Sequence, residues 1–111
     1  MNYEEPIHRI IGGIVHSPAF ADKLPQQREF YNLTPPEYWE LLHAHASAFR
    51  MWKVTYMHTL PSHEAVMDWY RGTGMRPYLQ ALDDAGRKKF EAEVFAQVRE
   101  EYPTQSDGSI I

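Results

Sequence analysis

Residues 49–60, Phe-Arg-Met-Trp-Lys-Val-Thr-Tyr-Met-His-Thr-Leu, are the one stretch of this chain that reads as a β-strand, and a single strand strongly constrains a fold. The run is β-branched, aromatic and alternating, and Pro61 closes it. Trp52, Val54, Tyr56, His58 and Leu60 would share one face; Lys53, Thr55, Met57 and Thr59 would share the other. A strand cannot satisfy its own backbone N–H and C=O groups, so it needs a neighbour. The only other strand-like residues are Ile110-Ile111, where the sequence stops. The inventory is therefore predominantly helical α+β with one long, under-partnered strand.

The helices announce themselves by period and caps. Ile7, Ile10, Ile11, Ile14 and Val15 recur at spacings of three and four, which predicts a helix over 5–17 with Pro6 in its first turn. Gly12 and Gly13 weaken it by about 1 kcal/mol each relative to Ala, or make room for a neighbour or a bend. Residues 18–33 lack a period. They form a connecting stretch with room for one short helix, which Phe20, Leu24, Phe30, Tyr31 and Leu33 would tack to the core. Thr34-Pro35-Pro36-Glu37 has the form of a capping box, starting a helix to about Ala46 with Tyr38, Leu41, Leu42 and His45 on one face. Ser62 caps a helix over 63–71, striped by Ala65, Val66, Trp69 and Tyr70. Gly72-Thr73-Gly74 would stop it through the left-handed conformation that glycine permits. A short helix follows from Met75-Arg76-Pro77. Asp83 or Asp84 caps the last helix, over about 84–101, with Phe90, Val94, Val98 and Tyr102 in line and Phe95 beside them.

With 43% hydrophobic and 14% aromatic residues, 111 residues suffice for one modest core. The net charge of −4 lacks the basic surplus of a nucleic-acid binder. The chain has no cysteine, which rules out disulfides, thiolate metal sites and a cysteine nucleophile. No run reaches the roughly 18 apolar residues of a membrane span, and the acidic opening has no signal-peptide pattern. The expectation is a soluble, cytoplasmic protein.

Motifs for phosphate loops, dinucleotides, serine hydrolases and zinc proteases are absent. His43 and His45, two apart on a helix, point to different sides and cannot easily share a metal. Charge is more informative. Phe49–Leu79 carries Arg50, Lys53, Arg71 and Arg76 against Glu64 and Asp68, a net +2 in a chain whose remainder is −6. Such a segment could attract a small anion, and arginine suits a carboxylate because its planar fork donates two parallel hydrogen bonds. The same charges could equally be ordinary surface pairs with Glu64 and Asp68. Trp69, Gly72, Gly74 and Arg76 form a corner that could hold a guanidinium beside a ring, or be a plain helical turn. Tyr56 and His58 could wall a site or simply pack against helices; either, if buried, needs a polar partner.

The ordered series Trp52-Lys53-Val54-Thr55-Tyr56-Met57-His58-Thr59-Leu60-Pro61-Ser62-His63, Asp68-Trp69 and Thr73-Gly74-Met75-Arg76-Pro77-Tyr78-Leu79-Gln80 resembles the trans-aconitate 2-methyltransferases. The likeness continues through Glu101-Tyr102-Pro103 and Asp107-Gly108, and more weakly upstream through Glu5-Pro6-Ile7-His8. That family transfers a methyl group from S-adenosylmethionine to a carboxylate of trans-aconitate. The resemblance implies that residues 1–111 are one C-terminal, substrate-covering piece of a Rossmann-like class I methyltransferase: a helical cap with residues 50–60 as the penultimate, edge strand. The S-adenosylmethionine-binding domain would lie outside it, so no cofactor is expected on this chain and no activity from it alone. Arg76 would be a carboxylate clamp for a small polycarboxylate, with Trp69, Tyr56 and His58 as pocket wall; no catalytic residue is assigned. In that fold the penultimate strand pairs antiparallel with the final strand, of which Ile110-Ile111 would be the opening; residues 50–60, so left unpaired, would pair antiparallel with the same strand of a second copy in a two-fold homodimer. A stand-alone helical binding module is the competing expectation.

Overall fold

The computed structural model describes residues 5–24 and 32–111. It contains five helices: α1 (Pro6–Val15), α2 (Pro35–His45), α3 (His63–Arg71), α4 (Arg76–Ala81) and α5 (Asp84–Glu101). The chain divides into two compact units, one made of residues 1–27 and 58–111, the other of residues 28–57.

The first unit holds the hydrophobic core. The isoleucine stripe of α1 is buried from Ile7 to Val15, and the expected line Phe90, Val94, Val98 on α5 is buried with no exposure at all. α1 packs on α5, α3 packs on both α5 and α4, and Val66, Met67, Met75, Tyr78 and Leu82 fill the remaining volume. Phe20 follows a series of turns after α1 and meets Phe90 edge to face at 5.3 Å. Phe30 and Tyr31 fall outside the described residues, and Leu33 is exposed, so it does not anchor the connection as expected.

Capping follows the sequence. The Ser62 hydroxyl accepts from Ala65 N–H at 3.2 Å, and the Asp83 carboxylate accepts from Gly86 N–H at 2.7 Å. In the second unit, the Glu37 carboxylate accepts from both the backbone N–H and the hydroxyl of Thr34, each at 2.7 Å, which pulls its pKa below the usual carboxylate value.

The expected long strand is absent. Among the described residues there is no strand, only an isolated antiparallel bridge in which Leu60 and Ile110 exchange both backbone hydrogen bonds at 2.8 Å. Residues 49–59 are in no regular structure. Their β-propensity is real, but a strand is defined by its ladder, and a single rung does not propagate one. A two-fold pairing through 50–60 would have to form the strand in the same step as the dimer. The fold of this chain is thus helical, and the edge-strand reading is corrected.

The glycine reading also changes. Gly72 ends α3 in right-handed geometry (φ −77°), and among the described residues only Gly108 has a positive φ. Gly74 is needed for space instead: a Cβ there would sit 3.2 Å from the Tyr70 ring.

Candidate functional site

The α3–α4 corner brings together more of the expected site residues than any other part of the first unit. Its backbone is closed locally. Thr73 donates its hydroxyl to the Trp69 carbonyl at 3.0 Å, and Met75 N–H donates to the Tyr70 carbonyl at 2.8 Å. These bonds satisfy carbonyls that a helix end leaves orphaned. Trp69 lies on the last turn of α3 with 46% of its surface exposed, although its spacing placed it in an apolar stripe. His58 meets the Trp69 ring edge to face at 5.0 Å. The structure therefore joins these two predicted wall residues on one exposed aromatic ledge.

Arg76 opens α4, exposed, and its guanidinium makes no hydrogen bond or ion pair with the described residues. Tyr56 belongs to the second unit and is 78% exposed. The four predicted residues are thus distributed as three in the first unit and one in the second.

The other arginine of the corner is saturated. Arg71 reaches Glu64 at 2.8 Å and Asp68 at 2.5 Å on its own helix, and Glu91 on α5 at 2.6 Å. The Glu91 hydrogen bond is the largest cause holding the guanidinium pKa above its ordinary value. Pairing with Glu64 and Asp68 is the ordinary surface-charge reading of the sequence. Glu91 was not legible, because only the packing of α3 on α5 brings it within reach.

A second constellation went unnoticed in the sequence. The His63 imidazole donates from Nε2 to the Tyr102 carbonyl at 2.7 Å, at the C-terminal end of α5. The Tyr102 hydroxyl accepts from Ile7 N–H at 3.2 Å and donates to Glu5 at 3.3 Å. Burial is the main reason its pKa is pushed up to about 12. These contacts clasp the start of α1 to the end of α5, and the Leu60–Ile110 bridge lies in the same unit. His8, whose pKa burial lowers, packs edge-on to Tyr70 at 5.5 Å. The Leu60-Pro61-Ser62-His63 and Glu101-Tyr102-Pro103 segments thus have structural work that explains their residues without a ligand.

Among the described residues, no three His, Asp or Glu side chains gather as a metal-binding group, and no helix is long and apolar enough to cross a membrane.

No protein-family model matches the chain. Curated proteins do. A trans-aconitate 2-methyltransferase of Klebsiella pneumoniae is 33% identical over 99% of this chain and 42% of its own length. The trans-aconitate 2-methyltransferase of Streptomyces coelicolor is 38% identical over 97% of this chain and 37% of its own, and that of Streptomyces avermitilis 35% identical over 98% and 41%. This chain is similar to the C-terminal part of trans-aconitate 2-methyltransferases. It spans about two fifths of the length of the curated relatives it matches. The likeness covers both units, including the α3–α4 corner and the clasp between Glu5 and Tyr102.

Proposed function

We propose that this chain is the substrate-covering C-terminal part of an S-adenosylmethionine-dependent carboxylate O-methyltransferase that acts on trans-aconitate. The observation that carries the reading is the surface of residues 32–57. Leu33, Tyr38, Trp39, Leu41, Leu42, Met51, Trp52, Val54, Tyr56 and Met57 are all exposed, and no residue of this stretch is buried. A surface so apolar is built to meet another one. The portion of the relatives that this chain does not span offers that surface, and it is where the cofactor would be held.

The cofactor, bound there, supplies an electrophilic methyl group on a sulfonium. A carboxylate oxygen forms the new C–O bond as the C–S bond breaks, and no proton need move because the nucleophile is already ionised. The work left to this chain is binding and orientation. Arg76, exposed and without an acidic partner among the described residues, would grip one carboxylate through its fork. The Trp69–His58 ledge supplies wall on the same unit. Closure over the substrate would exclude water and strengthen the arginine–carboxylate interaction.

The test is a fusion of this chain to the N-terminal portion of the Klebsiella relative, assayed for the methyl ester of trans-aconitate. Arg76→Ala should raise the trans-aconitate KM by about tenfold or more, as expected for loss of a charge-assisted bidentate contact. A fusion that folds and never methylates, or an unchanged KM, would overturn the reading. A stand-alone helical binding module is the second reading, and the self-closed core of the first unit favours it. Calorimetry of the 111-residue chain against trans-aconitate and S-adenosylmethionine separates the two: affinity for neither, with an active fusion, supports the enzyme part.

A further inference from the structure

We infer that Arg71 is a positioning residue for the anion-binding corner: it ties the C-terminal end of α3 to α5 and occupies three carboxylates that would otherwise face the same ligand uncompensated. The inference rests on the reading of Arg76 as the carboxylate clamp. Two arginines lie five residues apart and have opposite environments. Arg71 is in contact with Glu64, Asp68 and Glu91; Arg76 has no acidic partner among the described residues. Asp68 and Glu64 sit one turn and two turns back on α3, so these two bonds hold the side chain along its own helix. The Glu91 bond crosses to α5, whose inner face is the fully buried line Phe90, Val94 and Val98. It therefore ties the end of α3, with Trp69 on it, to the helix that carries the fully buried line of the core.

The guanidinium shape matters as well as its charge. Nε donates to Glu91 while the two terminal nitrogens donate to Asp68 and Glu64. A lysine ammonium carries the same charge but lacks a planar fork that spans three carboxylates in fixed directions. Removing the charge altogether leaves three carboxylates at the base of the corner. They would repel an anionic substrate and are free to compete for Arg76.

The experiment is a double-mutant cycle in the active fusion. Arg71→Gln should raise the trans-aconitate KM about fivefold to tenfold, with kcat and the S-adenosylmethionine KM changed less than about twofold; Arg71→Lys should recover part of the loss. In an Arg76→Ala background the Arg71→Gln effect on KM should largely disappear, because Arg71 acts through the clamp. A fall in melting temperature with unchanged trans-aconitate KM would make Arg71 merely structural and sink the inference. So would KM effects that simply multiply in the double variant. If Arg71→Gln does not fold, Arg71→Lys in both backgrounds completes the same cycle. An Arg76→Ala enzyme with normal KM defeats the clamp itself, which distinguishes failure of the underlying reading from failure of this one.

Discussion

Two helices of this chain carry large apolar side chains and end differently. α1 carries an isoleucine stripe and buries all of it; α2 carries Tyr38, Trp39, Leu41 and Leu42 and buries none of it. Both helices start with a proline in the first turn. The difference is the partner. α1 lies against α5, whose apolar line receives it, whereas no described residue of the unit containing α2 is buried. Inside that unit Trp39 meets Phe49 edge to face at 4.6 Å, yet both remain outside any buried cluster. Hydrophobicity thus supplies a drive to bury, worth roughly 1.5–3 kcal/mol for each large side chain fully covered, and leaves the identity of the cover unspecified.

The comparison breaks most sharply at the core. Phe90→Ala removes a fully buried ring that touches Phe20 and Tyr78, and should cost about 3–5 kcal/mol in urea denaturation of the 111-residue chain. Trp52→Ala, in a side chain that is 79% exposed, should stay within about 0.5 kcal/mol of the parent in the same assay. A comparable loss from both would mean that residues 32–57 contribute to one cooperative unit and that the contrast is false.

The clasp sharpens the picture at an intermediate scale. Tyr102→Phe leaves the Ile7 N–H without its acceptor and frees Glu5 from its donor, for an expected cost of about 1 kcal/mol. Its pKa is raised in the folded state, so its stabilisation is complete below pH 10, near the unfolded value, and is lost as pH rises toward about 12. Stability measured across that alkaline window should fall more steeply in the parent than in Tyr102→Phe. Equal slopes would show that the phenol does not titrate with folding.

The smallest effect should have the opposite sign. Gly13 is exposed within α1 and a Cβ there meets nothing within 4 Å. Gly13→Ala should therefore stabilise the first unit by about 0.5–1 kcal/mol. A destabilised variant would show that this helix face has a use beyond solvent contact.

Much of the helical architecture was legible before any coordinates, because helix signals are local. Ser62, Asp83 and the Thr34/Glu37 pair marked starts where helices begin, and the period of Phe90, Val94 and Val98 marked the buried face of α5. The positions of the candidate residues were legible in part. Trp69 and Arg76 share the α3–α4 corner as the Gly72-Thr73-Gly74 spacing implied, and His58 meets Trp69. Glu91 on Arg71, and His63 on the Tyr102 carbonyl, were not legible: the first links residues 20 apart and the second residues 39 apart, with no period connecting either pair.

Local chemistry in the sequence determined where helices start, which faces are apolar and which segment favours an extended backbone. Tertiary structure alone decided which apolar face is covered, which arginine is spent on acids, and that residues 49–59 form no strand. The physical reason is common to all three. A helix satisfies its backbone within itself, whereas burial, ion pairing and a β-ladder each require a second surface that residue spacing cannot supply.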